Sequence, residues 1–126
     1  MMVVVLFFKK QGTMNTKTVT ICNQKVDMLY CAAAENGYEQ MTGEPIYNFN
    51  VKSQRCWTFL ALAAIVAAYS REGQEPPIDS GKIIYEAKPF EIQEMIEAVI
   101  ELRNEWYKVP DVIEAKRKKT KADPKN

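Results

Sequence analysis

No histidine occurs anywhere in the chain. That removes the usual general base, the partner a serine or cysteine nucleophile needs, and the commonest metal ligand. Glycine is sparse, five in 126 residues, and the glycines form no phosphate-cradling pattern. Cysteine is limited to Cys22, Cys31 and Cys56, at spacings that match neither a zinc nor a redox motif. An odd count without a secretory signal is expected as reduced cytosolic thiols packed as small apolar side chains. No apolar stretch reaches the roughly 20 residues of a membrane span. The expectation is a protein that is not an enzyme, with no catalytic residues, no metal, no cofactor and no membrane partner.

Excess charge is also missing, but its distribution is uneven. From Lys116 to Asn126 there are six Lys or Arg against one Asp, so the remainder carries −4 of an overall +1. A mildly acidic body with a basic end lacks the basic folded face of a nucleic-acid binder. Residues 111–126 have nothing to bury and are expected to form a disordered lysine-rich tail.

What the chain does have is Cys56 to Tyr69, CWTFLALAAIVAAY, in which only Thr58 is not apolar or aromatic. Without Gly, Pro or charge, and with five alanines, it predicts a helix buried on nearly every side. Its alanines would let neighbouring elements approach the backbone closely. Ser53 is the expected cap, and Arg71-Glu72-Gly73 the end, followed by a stiff loop through Pro76-Pro77.

The other elements arrange around it. MMVVVLFFKKQGT lacks the leading charge and cleavage site of a signal peptide. Residues 1–15 are read as a translated leader ahead of Met14, with Lys10 to Thr13 encoded by a ribosome-site-like stretch; an added edge strand is the alternative. The folded domain is expected over 16–110. Thr18 to Cys22 alternate as a half-buried strand, Asn23-Gln24 is a turn, and Lys25-Val26-Asp27 returns as a second strand. A helix is expected from Asp27, its N-cap, to Thr42, with Tyr30, Ala34, Tyr38 and Met41 as its apolar stripe. Asn36-Gly37 is its weak point for a kink or split, and Gly43 with Pro45 should stop it. Ile46 to Gln54 reads as an extended connection or short strand, and Ile83-Ile84-Tyr85 as either a helical turn or a strand. Pro89 opens a last helix with Ile92, Met95, Ile96, Val99, Leu102 and Trp106 inward. Glu94, Glu97, Glu101 and Glu105 form its solvated face, and Pro110 stops it. Trp57 is expected in the core and Tyr107, off the stripe, on the surface. The fold class is thus α+β: a small, mainly α-helical domain with an N-terminal β-hairpin and about three principal helices.

Leu29 to Ile46, following the hairpin, contains Glu39, Thr42, Gly43 and Ile46 as a Glu-x-x-Thr-Gly-x-x-Ile pattern. This stretch, with the alanine-rich helix and acidic last helix after it, resembles phage tail assembly chaperones and uncharacterised prophage proteins of gut anaerobes. The resemblance covers about Thr16 to Val109. It implies a host-cytoplasmic protein that coats the tape-measure protein and helps recruit tail-tube subunits. It also implies a longer product made by ribosomal slippage, for which Lys118-Lys119 is a suitable place. Tyr30, Tyr38, Met41 and Tyr107 are the candidate partner-binding residues, since a helix-binding groove is read by apolar side chains. Self-association is a further kind of partner. The alternatives are a structural virion component, such as a tail or head-completion protein, and a small nucleic-acid-binding regulator using the basic tail.

Overall fold

The computed structural model describes residues 15–108. The expectations for the leader and for the lysine-rich tail with its slippage site lie outside them. Two strands, β1 (Asn15–Ile21) and β2 (Gln24–Tyr30), pair antiparallel with Val19 opposite Val26 and Lys17 opposite Met28. Four helices follow: α1 (Ala32–Thr42), α2 (Gln54–Ser70), α3 (Ser80–Glu86) and α4 (Pro89–Trp106). The architecture is a small, mainly helical α+β domain with an N-terminal hairpin.

The hairpin differs from expectation in two ways. Its turn is Cys22-Asn23, one residue earlier than read, with both residues at positive φ (51° and 66°). That pair of left-handed residues matches the right-handed twist of the strands it joins. The second strand also runs on to Tyr30, so Asp27 is not a helix cap. It sits opposite Thr18, whose hydroxyl donates to Asp27 Oδ1 at 2.7 Å, and its own amide donates to the Tyr69 hydroxyl. Val26, Met28 and Tyr30 alternate inward and are fully buried, a period of two that outweighs the four-residue step from Tyr30 to Ala34.

α1 therefore starts at Ala32 and runs unbroken through Asn36-Gly37. Gly37 serves packing: a Cβ there would lie 3.3 Å from the Cβ of Ala63 on α2. The two helices meet at a glycine and an alanine, which offsets the loss of helix propensity that Gly37 brings. The Glu-x-x-Thr-Gly-x-x-Ile residues form the helix stop. Gly43 turns left-handed at φ 74° while its amide donates to the Glu39 carbonyl. The Thr42 hydroxyl donates to the Tyr38 carbonyl, and the Glu39 carboxylate reaches past the turn to accept from the Ile46 amide at 2.7 Å.

After that stop, Ile46–Asn48 forms one 3-10 turn rather than a strand. Ser53 caps α2 by accepting from the Cys56 amide. Along α2 every residue from Leu60 to Ile65 is buried, and the helix packs against α1, β2 and α4. The alternatives for residues 83–85 resolve as helix: Asp79 caps α3, and Ile78 and Ile83 pin it to the core. Pro89 opens α4, which buries Met95, Ala98, Val99 and Leu102, with Ile92 and Ile96 packed at the edge. The glutamates of its outer face are exposed, and Glu101 pairs with Lys17 at 2.8 Å. Trp106, expected inward, stands 43 % exposed at the last residue of α4, with one ring contact among the described residues, to Tyr30. The three cysteines are free thiols, each half-buried.

Candidate functional site

Five segments converge at one end of the domain: the end of β2, the first two turns of α1, the loop before α2, the first turn of α2, and the last turn of α4. Phe49, carried there by the 3-10 turn, stands edge-on to Trp57 with centroids 4.7 Å apart and 5.4 Å from the Tyr38 ring. Trp57 is held by its indole N–H, which donates to the Val51 carbonyl at 2.8 Å. Arg103 reaches into these rings from α4. Its Cζ lies 5.2 Å from the Phe49 centroid, 5.5 Å from that of Trp57 and 5.2 Å from that of Tyr107. A cation over ring faces is attracted by their quadrupoles, by about 0.5–2 kcal/mol depending on desolvation.

On the other side of Tyr107, the Glu35 carboxylate accepts from the Tyr30 hydroxyl at 2.7 Å and from the Tyr107 hydroxyl through the same oxygen. Trp106 lies against Tyr30, with centroids 6.3 Å apart. The last turn of α4 is thus fastened to α1 through a shared carboxylate. Burial first, then the hydrogen bond to Glu35, raises the Tyr30 and Tyr107 hydroxyls above their ordinary range. Tyr38 is pushed up to about 12 by burial and by its hydrogen bond with Cys56. That same bond from Tyr38 lowers the Cys56 thiol.

These shifts predict a pH profile of stability. A tyrosine whose folded value is raised contributes fully below its unfolded value of 10.0 and loses that contribution as pH rises toward 12. Cys56, lowered from 9.0, works in the opposite sense and adds stability as pH rises through its folded value. Denaturant melts taken from pH 7 to 12 should show stability holding or rising slightly to about pH 9, then falling above 10. Tyr38→Phe should flatten the fall, and a profile falling steadily from pH 7 would contradict it.

Comparison outside the chain adds nothing to this geometry. No family model, curated protein or solved structure matches it. Among the described residues no helix is long and apolar enough to cross a membrane.

Of the sequence-predicted partner residues, Tyr30 and Tyr38 are buried. This corrects the surface role expected of them: each ring fills the core and each hydroxyl has an internal partner, Glu35 and Cys56 respectively. Neither can touch a partner unless the fold opens. Met41 is 37 % exposed and Tyr107 52 % exposed, so both are accessible. Only Tyr107 takes part in the arginine-centred cluster. Sequence reasoning missed Arg103, Glu35 and Phe49. The spacing of Arg103 from Tyr107, one helical turn, was the one available signal.

A hollow of about 240 Å³ lies elsewhere, between the hairpin and the end of α2, lined in part by Thr16, Thr18, Asp27, Tyr69 and Arg71. Its polar groups are engaged with one another: Thr18 with Asp27, Tyr69 with the Asp27 amide, Arg71 with Glu72. The arginine-centred end, with Tyr107 exposed beside the cation and Trp106 and Val51 exposed near it, is the better candidate for recognition.

Proposed function

We propose that this chain is a non-enzymatic protein-binding domain acting as a tail assembly chaperone in phage or prophage morphogenesis, in the host cytoplasm. One observation carries the reading. Trp106, Tyr107 and Val51 remain exposed at the end of the domain where Phe49, Trp57 and Arg103 stack. Large aromatic side chains on a rigid base are what a protein interface uses as anchors. A long helical partner such as a tape-measure protein offers apolar side chains at i, i+3, i+4 and i+7 to such a surface. The resemblance of Leu29 to Ile46 to the chaperone pattern supplies the choice of partner.

The test is co-expression of the tagged chain with the tape-measure protein that the chaperone reading expects to be encoded beside it, followed by purification of the complex and of finished particles. The chaperone reading expects co-purification with that protein, weakened about tenfold or more by Trp106→Ala with Tyr107→Ala, and absence from the particles. Stable incorporation into particles would make the chain a virion component. Salt-sensitive binding to DNA or RNA, lost on removal of Lys116 to Asn126, would make it a regulator.

A further inference from the structure

We infer that Arg103 is a docking point for a carboxylate on an amphipathic partner helix, an assignment that rests on the protein-binding reading above. The guanidinium carbon lies within 5.5 Å of three ring centroids, those of Phe49, Trp57 and Tyr107. Its Nε is buried with no hydrogen-bond partner. Among the described residues Arg103 makes no ion pair; the pairs there join Lys17 to Glu101 and Arg71 to Glu72. Glu35, a carboxylate at the site, is already shared by two tyrosine hydroxyls. Ring contacts use none of the N–H donors at the edge of a guanidinium, so the terminal Nη groups remain for an acceptor.

Such a cation is unusually ready to bind. Its side chain is already immobilised by the rings, so docking orders little more of it. The Nη1 and Nη2 end of the fork, not the buried Nε, can meet a carboxylate with two parallel hydrogen bonds. Around it Val51, Trp106 and Tyr107 supply exposed apolar surface, which matches an apolar stripe interrupted or bordered by a glutamate. A polyanion is a poorer match. Glu101 and Glu105 are exposed along the same helix, and the repulsion of several phosphates would exceed the attraction of one arginine.

The probe is a synthetic amphipathic helical peptide of about 20 residues, with leucines at i, i+3, i+4 and i+7 and one glutamate beside them. A second peptide carries glutamine in place of that glutamate. The two tryptophans of the chain, Trp57 and Trp106, both stand in this cluster, so intrinsic fluorescence reads the site directly. The glutamate peptide should bind the full chain about tenfold more tightly than the glutamine peptide, the scale of one charge-assisted hydrogen bond. Arg103→Met, which keeps the apolar stem, should remove that preference. Because the contrast lies in the peptide, it does not depend on a variant that folds. Equal affinity for both peptides overturns the carboxylate docking and leaves an apolar binding face, so the chaperone reading survives. Failure of both to bind the full chain overturns the docking outright; the chaperone reading then fails only if the tape-measure complex is also absent.

Discussion

Replacing Trp57 by alanine is expected to lower the unfolding free energy by about 4 kcal/mol, the range for emptying a buried aromatic site. Three losses combine. The indole is buried between Phe49 and the Arg103 guanidinium, so its removal leaves a void where dispersion contacts were. The Val51 carbonyl loses its donor. Arg103 loses one of its three ring contacts, and its Nε has no hydrogen bond to fall back on. A domain of this size loses roughly 4–8 °C of Tm for each kcal/mol, so a drop of about 20 °C follows. Trp57→Phe keeps a ring against Phe49 and Arg103 but orphans the Val51 carbonyl, and should cost about 1–2 kcal/mol. Trp106→Ala, on an exposed ring that meets only Tyr30 among the aromatic pairs, should cost about 1 kcal/mol. Denaturant melts of the three variants check the order. If Trp106→Ala proves as damaging as Trp57→Ala, the core does not sit where the geometry puts it.

What the sequence revealed, and what it hid, follows from the range of the forces involved. Local signals were legible. Ser53 caps α2, Gly43 and Pro45 end α1, Pro89 opens α4, and the run from Cys56 to Tyr69 forms the central helix, buried at Trp57, from Leu60 to Ile65 and at Ala67, with Val66 exposed. Signals that two structures share were not. Tyr30 lies two residues beyond Met28 and four before Ala34, so it satisfies the strand period and the helix period alike. Pairing with β1 decides between them. The tyrosines were misplaced for a related reason. A phenol suits an interface or a core, and the choice rests on partners the fold supplies: Glu35, five residues on across the strand-to-helix junction, for Tyr30, and Cys56 on another helix for Tyr38. Arg103 is ordinary in sequence. It acquires its setting from Phe49 and Trp57, which reach it from a loop and another helix.

The turn of the hairpin is the same kind of case. Cys22 adopts φ 51°, a region that a residue with a Cβ enters at a cost. Its amide donates to Glu91 Oε2 at 2.9 Å, across 69 residues of sequence. The other oxygen of that carboxylate accepts from the Lys88 amide, also at 2.9 Å. Glu91 is 7 % exposed, so it joins the hairpin turn to the start of α4 in a place water barely reaches. Its negative charge also faces the positive end of the helix dipole.

From this arrangement an unusual result is expected: Glu91→Gln should be nearly as damaging as Glu91→Ala, each costing about 3 kcal/mol. Alanine leaves two backbone N–H groups without an acceptor in a buried site. Glutamine restores one acceptor oxygen, but its NH2 must then point at the second N–H, donor against donor, and the favourable charge at the helix start is gone. Glu91→Asp keeps the charge but is one methylene short, so it can serve one amide only and should fall between. Hydrogen exchange at the Cys22 amide separates the local effect from the global one. In Glu91→Gln it should exchange faster than the rest of β1 and β2 if the glutamine oxygen turns toward Lys88. Should Glu91→Gln melt within about 0.5 kcal/mol of the unaltered chain, the carboxylate is not what holds the turn. The left-handed Cys22 must then be stabilised by the packing of Ile21 and Val26 beneath it.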